Sequence, residues 1–433
     1  MTIPNRADLP VQRLGTPAFP SPLGGPWIED DAKVAVPTDP EEILSCLANG
    51  GEIPSFVASG KRRGLLLDPT EMTLGLVTCG GLCPGLNDVI RAATRVALRR
   101  YGVRRVLGFR FGYAGIPVSG GHEPVRLTLD RVATVHREAG SLLGVSRGRQ
   151  DTAAIADGLV EHGVDALIAI GGDGTLRGVH AICEEIERRG LMLPVVGVPK
   201  TIDNDISWVQ RSFGLDTAVA VARDALDVAS NEARAAWDGV GLVRLMGRES
   251  GFITAMATLA SGVVDFCLIP EVPFAVDGPG GLLEAIEKRL RERRACVIAV
   301  AEGAGHDLLG TASVDASGNA VPHDIGTHLR ETIARELPAR GIPVNLKYID
   351  PSYMVRGTRA TANDSVFCTT LGQQAVHAAL AGYTDCVVGH WSQHFTLVPT
   401  KLATSTRQRV DPDSSLWRTV VALTGQKLVA PQG

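Results

Sequence analysis

The chain reads as an α/β protein built on mostly parallel sheets with helices on both faces, and three observations predict this. Short β-branched or aliphatic runs alternate with longer helical patterns from Met72 onward, which is the pattern of repeated βαβ units. Glycine-rich or polar clusters follow several of those runs, where ligands bind at the carboxyl ends of parallel strands. The 433 residues exceed what one hydrophobic core usually serves, so two α/β halves fit the length.

Residues 1 to 27 carry prolines at 4, 10, 17, 20, 22 and 26. That density excludes a helix and predicts an extended arm lying on something else. Residues 28 to 70 are mixed and yield no assignment. TLGLVT then reads as a strand, followed by the helical LNDVIRAATRVALRR; DALIAI is followed by TLRGVHAICEEIERR. PVVGV, VGLVRLM, ACVIAVA and DCVVG continue the strands, and GFITAMATLA follows VGLVRLM as a helix.

Composition excludes several classes of function. Hydrophobic residues make up 45% against 21% charged, and the 49 glycines indicate tight turns and close backbone approaches. A net charge of -4 offers no basic field for nucleic acid, and the arginines are scattered. Eight cysteines are too sparse for a disulfide scaffold, and Cys79 and Cys83 form a C-x3-C without nearby further ligands, so they read as reduced thiols. No apolar run reaches the ~18 residues of a membrane span and MTIPNRADLP lacks a signal-peptide core, so a cytoplasmic protein without membrane contact is expected.

Four loops carry the chemistry: CGGLCPGLN (79 to 87), GGDGTLRG after DALIAI, PKTIDND after PVVGV, and GRESG after VGLVRLM. In IGGDGT, residues 170 to 175, three glycines surround Asp173 before a helix. Glycines let amides approach phosphate oxygens, the helix N-terminus favours anions, and the aspartate can hold Mg2+. A plain helix-capping turn through Asp173 or Thr175 explains the same residues. The segment is neither a P-loop nor a G-x-G-x-x-G dinucleotide turn. CGGLCPGLN repeats the construction with Gly80, Gly81 and Gly85, and two such loops at strand ends can grip one phosphate chain.

GVPKTIDNDI concentrates Lys200, Thr201, Asp203 and Asp205 after an apolar run. Phosphoryl transfer needs an acceptor hydroxyl relieved of its proton and cations on the moving charge. Asp203 supplies a base, Lys200 a cation and Thr201 a hydroxyl, while Asp205 binds metal or braces the turn. An Asx-rich turn is the alternative reading.

With these loops in place, the sequence resembles the 6-phosphofructokinases, in particular the long pyrophosphate-type clade and its plant-like ATP-using branch. The matching stretches run in order from Met72 to about Pro399: TCGGLCPGLNDVIR, FGYAGI, LLGVSRG, GGDGTLRG, PKTIDNDI, FGLDTA, LMGRESGFI, LIPEVPF, AEGAG, LKYIDPSYMVR and AGYT. The resemblance implies two Rossmann-like doubly wound domains with mostly parallel sheets and an N-terminal extension. It sets residues 1-70 as that extension, 71-213 with 356-405 as the donor domain, and 214-355 with 406-433 as the sugar-phosphate domain. It further implies that Gly81, Tyr113, Arg147 and the loop residues Gly172, Gly174 and Thr175 hold the nucleotide phosphates, that Arg147 also bridges transition-state charge, and that Asp173 positions Mg2+. Asp203 becomes the general base on the sugar 1-hydroxyl, supported by Thr201, Asp205 and Lys200. Met246, Gly247, Arg248, Glu271, Tyr353 and Arg356 form the sugar-phosphate site, and Lys347 reaches the 6-phosphate. A homodimer or homotetramer is expected.

The same resemblance makes the donor a question of two positions. Pyrophosphate users typically carry an aspartate after the GGD aspartate, where this chain has Gly174, leaving room for ATP; Lys200 is instead a pyrophosphate-type feature. The pair resembles the ATP-using branch, so ATP is the expected donor and pyrophosphate the runner-up. Glu249 in MGRESG, Gly239, and the segments GTRATANDS and GHWSQHFTLVP depart from the family pattern at the sugar end, which keeps a kinase of another sugar phosphate open. The NAD kinase and diacylglycerol kinase group shares the GGDGT device, and Asn231 and Glu232 supply its N-E pair, but it lacks PKTIDND and YIDPSYMVR. A ligand sensor without turnover is the non-enzyme alternative, against which intact Asp173, Thr201, Asp203 and Arg147 argue. His390 and His394 read as surface or packing residues, and the charge runs as solvated helix faces.

Overall fold

The computed structural model describes residues 4–48, 51–148, 150–309, 311–314, 320–322 and 324–431. The strands of its two larger sheets are β1 (Lys33–Ala35), β2 (Ser55–Ala58), β3 (Thr73–Thr78), β4 (Arg105–Phe109), β5 (Val125–Arg126), β6 (Ala166–Gly171), β7 (Val195–Pro199), β8 (Gly239–Leu245), β9 (Phe266–Leu268), β10 (Ala295–Ala301), β11 (Asn345–Ile349), β12 (Cys386–Trp391) and β13 (His394–Pro399). Helices used below are α1 (Leu86–Val96), α2 (Asp173–Arg188), α3 (Leu215–Ala235), α4 (Phe252–Ser261) and α5 (Ala362–Leu380).

The chain divides into two compact units. The first comprises residues 1–201, 206–214 and 359–407, the second 202–205, 215–358 and 408–433. The first unit carries a nine-stranded sheet in the order β1-β2-β13-β12-β7-β6-β3-β4-β5. Its centre, β4-β3-β6-β7-β12, is parallel throughout. Every residue of β3, β6 and β7 is buried, because helices cover both faces of a parallel sheet, and this is why these strands appear in the sequence as unbroken apolar runs. The second unit carries a four-stranded parallel sheet, β9-β10-β8-β11, with its own core around Leu242, Ile298, Val300, Leu283 and Leu329.

The edges of the large sheet are antiparallel, which the aliphatic pattern did not announce. The strand begun by DCVVG runs on to Trp391 and turns back into β13. Ser392 and Gln393 take φ of 47° and 67° at that turn, the left-handed pair whose twist suits a two-residue hairpin. His390 thereby packs edge-on against Phe367 and Phe395. β13 pairs with β2, and β2 with β1, so two short strands of the unassigned stretch 28 to 70 extend this sheet.

The proline-rich arm lies on its own unit. Phe19 and Pro20 pair with Leu65 and Gly64, the Leu14 amide donates to the Gly382 carbonyl at 2.8 Å, and the guanidinium groups of Arg13 and Arg62 sit 5.1 and 5.4 Å from the Tyr383 ring. Delocalised cations over an aromatic face help hold this segment, whose one helical piece among the described residues, contrary to expectation, is a single 3-10 turn at Arg6–Asp8.

α1 and α5 approach closely, since a Cβ on Gly372 would lie 2.7 Å from the Val89 carbonyl. Beside this contact His377 is buried, its Nδ1 2.8 Å from the Tyr101 hydroxyl. Burial, then Lys61 and Arg100, lower its pKa from 6.5 to about 4. A histidine kept neutral in the fold must be overcome by acid: the unfolded chain binds the extra proton first, so stability is full above about 6.5 and is lost as pH falls toward about 4. The expected loss is ~3 kcal/mol across that window. Urea unfolding of wild type and His377→Gln as a function of pH checks it, and equal slopes for the two would refute the assignment.

Candidate active site

In the first unit the glycine loops are shaped by backbone that other residues resist. Gly80 and Gly85 take φ of +83° and +100°, and a Cβ on Gly85 would meet the Cys368 sulfur at 2.4 Å. The loop is sewn to its neighbours: the Cys79 amide donates to the Ile170 carbonyl and the Gly80 amide to the Ser146 carbonyl, at 2.9 and 2.8 Å. The second bond sets exposed Arg147, the next residue, beside the loop. Burial pushes the Cys79 thiol up to about 12, and all eight cysteines are free thiols, so Cys79 and Cys83 serve as packing.

Lys200 joins the three loops of this unit. Its amide donates to the Gly171 carbonyl at 3.0 Å, and its buried side chain reaches back so that Nζ donates to the Gly81 carbonyl at 2.6 Å. Thr201 follows, its carbonyl accepting from the Ser212 hydroxyl at 2.7 Å. A buried ammonium is stable only among acceptors, and here it concentrates positive charge between the glycine turns.

Gly172 caps α2, whose first turn begins at Asp173. The early amides of a helix have no partner within it and favour anions. Asp173 is partly exposed, with Arg177 Nε 3.3 Å from Oδ1 and Arg407 Nη2 3.6 Å from Oδ2. Gly174 is exposed and a Cβ there would meet nothing within 4 Å.

Two expected phosphate contacts take a different position. Tyr113 is buried and its hydroxyl donates to the Thr175 carbonyl at 2.9 Å. Thr175 is itself buried, its amide donating to the Gly172 carbonyl at 2.9 Å. Both brace the start of α2 from within, because the sheet side of that helix is packed; the surface open to a ligand consists of Gly172, Asp173 and Gly174.

In the second unit, residues 202–205 form a tight turn with Asn204 at φ +52°. The Asp203 carbonyl accepts from the Ser250 hydroxyl at 2.7 Å, and the carbonyl of buried Asp205 accepts from the Gln408 amide at 3.0 Å. Ser250 lies on the turn after β8 that carries Met246, Gly247 and Arg248. Gly247 takes φ +128°, and the Arg248 carbonyl would stand 1.8 Å from any Cβ on Gly303, so this turn tolerates side chains at neither glycine. Glu271 continues the network: its Oε1 accepts from the amides of Gly251 and Val410, both at 2.8 Å, and its Oε2 is buried with no hydrogen-bond partner. Burial raises its pKa above the ordinary carboxylate value. Glu249, the acidic departure noted above, is paired with Arg409 at 2.8 Å.

Lys347, Tyr353 and Arg356 belong to the same unit. Lys347 is exposed on edge strand β11, and Tyr353 is 82% exposed with the Arg356 guanidinium 5.2 Å from its ring. Sequence reasoning passed over Ser250, although it sits in the GRESG it singled out. It also left Glu302 of AEGAG unassigned; Glu302 leaves the end of β10 and pairs with Arg244 at 3.1 Å, and Arg244 also meets Asp324 and Asp350.

Parallel strands ending in glycine turns, a helix N-terminus and a lysine-linked acidic loop define an α/β protein built to bind phosphorylated small molecules. Residues 73–379 match the phosphofructokinase family model, and the chain belongs to that family. It is 46% identical to the ATP-dependent 6-phosphofructokinase of Amycolatopsis methanolica over 87% of this chain and 83% of that protein. It is 46% identical to the ATP-dependent 6-phosphofructokinase of Trypanosoma brucei brucei over 84% and 75%, and 44% identical to the chloroplastic ATP-dependent 6-phosphofructokinase 5 of Arabidopsis thaliana over 85% and 68%. Among solved structures, the pyrophosphate-dependent phosphofructokinase of Marinobacter aquaeolei shares the fold with a TM-score of 0.68 at 18% identity, over 84% of this chain and 93% of that one. No helix among the described residues is long and apolar enough to cross a membrane.

Proposed function

We propose that this protein transfers the γ-phosphoryl group of ATP to the 1-hydroxyl of fructose 6-phosphate, yielding fructose 1,6-bisphosphate and ADP. The observation that carries the reading is Lys200, which ties the CGGLCPGLN and GGDGT segments together directly before Thr201. In this reading the sugar oxygen attacks the γ-phosphorus, the bond to the β-γ bridging oxygen breaks, and Asp203 takes the hydroxyl proton. Lys200, Arg147 and the amides of the glycine turns oppose the charge on the transferring group, and Thr201 and Asp205 support the loop.

Mg2+ is the expected metal. Among the described residues no three His, Cys, Asp or Glu side chains form a cage, while Asp173 is a single carboxylate that already draws two cationic side chains. One carboxylate completed by donor phosphates and water is how Mg2+ binds in such sites. When bound there it would neutralise charge on the donor phosphates.

On the acceptor side, Arg248 would face the sugar phosphate and the Glu271 Oε2 would accept a sugar hydroxyl. Glu271→Gln keeps an oxygen for the two amides but turns a donor toward that hydroxyl. Its kcat/KM for the sugar phosphate should fall ~10- to 100-fold, the value of a hydrogen bond to a charged group. Because burial raises the pKa of Glu271, wild-type activity should decline toward acid at a higher pH than an ordinary carboxylate would set. An unchanged acid limb in Glu271→Gln would remove the residue from the site.

A coupled assay with fructose 6-phosphate and Mg2+, offering ATP and pyrophosphate separately, tests the whole reading. Turnover with pyrophosphate alone would reverse the donor, and turnover with neither would move attention to other sugar phosphates and the Glu249–Arg409 pair. The exposed Lys347 and Tyr353 suit a homo-oligomer in which a second copy covers them, and the free thiols suit a reducing cytoplasm.

A further inference from the structure

We propose that Arg407 is a donor-side residue that holds Asp173 until a divalent cation arrives and then turns its guanidinium onto the donor's phosphate oxygens. The inference rests on the ATP-dependent reading above. Asp173 carries a cationic side chain on each oxygen, but the two differ. Arg177, one turn along α2, is 62% exposed, whereas Arg407 is 28% exposed and comes from a separate segment. That segment has a fixed backbone: Arg407 forms an antiparallel bridge with Ile206, and the Ser207 hydroxyl donates to the Thr406 carbonyl at 2.8 Å.

A guanidinium anchored this way can exchange partners without moving the main chain. Its contact with Asp173, at 3.6 Å, is an ion pair longer than a hydrogen bond, and a divalent cation would compete for the same carboxylate. Displaced by that cation, Arg407 would find the phosphate oxygens the cation brings, which a planar guanidinium can bind in pairs. The same side chain thus competes with the bare metal and cooperates with the metal-bound donor.

These opposite signs give the test. Mn2+ binding to the nucleotide-free full-length protein is measured by electron paramagnetic resonance, and Mg-ADP binding by calorimetry, for wild type, Arg407→Gln, Arg407→Lys and Arg177→Gln, with melting curves for each. Arg407→Gln is expected to bind Mn2+ alone several-fold more tightly and Mg-ADP ~10- to 100-fold more weakly, with Arg407→Lys recovering part of the loss. Arg177→Gln is expected to share only the first effect. Weaker Mn2+ binding in Arg407→Gln, or Mg-ADP affinity equal to wild type while wild type turns over ATP, overturns the inference alone. Absent ATP turnover in wild type overturns the functional reading and this inference with it.

Discussion

Asp203→Asn should lower kcat by ~10²- to 10⁴-fold, the usual contribution of a general base, while leaving sugar-phosphate binding and folding close to wild type. The structure makes this a clean substitution. The main-chain carbonyl of residue 203 accepts from Ser250, a bond that the substitution leaves in place, and the left-handed turn is made by the next residue, Asn204. Asparagine has the size of aspartate and keeps a carbonyl oxygen, so the substitution removes the proton acceptor at nearly constant volume. Steady-state rates with a circular-dichroism melt decide the matter. A variant with near-wild-type kcat would mean that another group takes the proton, and a melt lowered along with kcat would mean that Asp203 is holding the turn.

Gly174→Asp should reverse the donor preference. The position is exposed, and a Cβ there meets open space, so the change carries no packing cost, and a carboxylate in the first turn of α2 is favoured by the helix dipole. The effect therefore falls on the ligand. An aspartate at 174 would stand where a nucleotide's α-phosphate is expected, and two like charges ~4 Å apart at a protein surface repel by ~4 kcal/mol before screening. kcat/KM with ATP should drop ~10²- to 10³-fold, and turnover with pyrophosphate, which has no α-phosphate, should rise relative to it. Measuring both donors on one preparation separates this from general damage. If Gly174→Asp retained ATP turnover within a few-fold, residue 174 would not be the discriminator and the weight would shift to Lys200.

The strands were legible because helices cover both faces of each parallel sheet, and two-sided burial leaves a continuous apolar run such as TLGLVT or ACVIAVA. The antiparallel edge was not. The turn that starts it is Ser392-Gln393, two residues with no glycine or asparagine to signal positive φ, and its partner strands at 33–35 and 55–58 lie in a stretch without clear periodicity. The positions of the site loops at strand ends were also legible, since glycine clusters and a lysine beside two aspartates follow the apolar runs directly. Their internal division of labour was not. Tyr113 and Thr175 resemble ligand contacts in a linear motif, yet both face inward under α2, because a motif gives the neighbours of a residue along the chain and says nothing of which side of the helix is packed.

By itself the sequence determined the α/β class, the family and the loops that carry charge, since composition, hydrophobic period and glycine spacing are local properties of the chain. Tertiary structure alone decided which groups in those loops meet. The reach of Lys200 to the Gly81 carbonyl spans more than a hundred residues, Val410 completes the bonds of Glu271, and Arg407, in a polar run with no motif, arrives at Asp173. These pairings depend on strand order and loop closure, which are set by the packing of the whole sheet and leave no trace at the positions themselves.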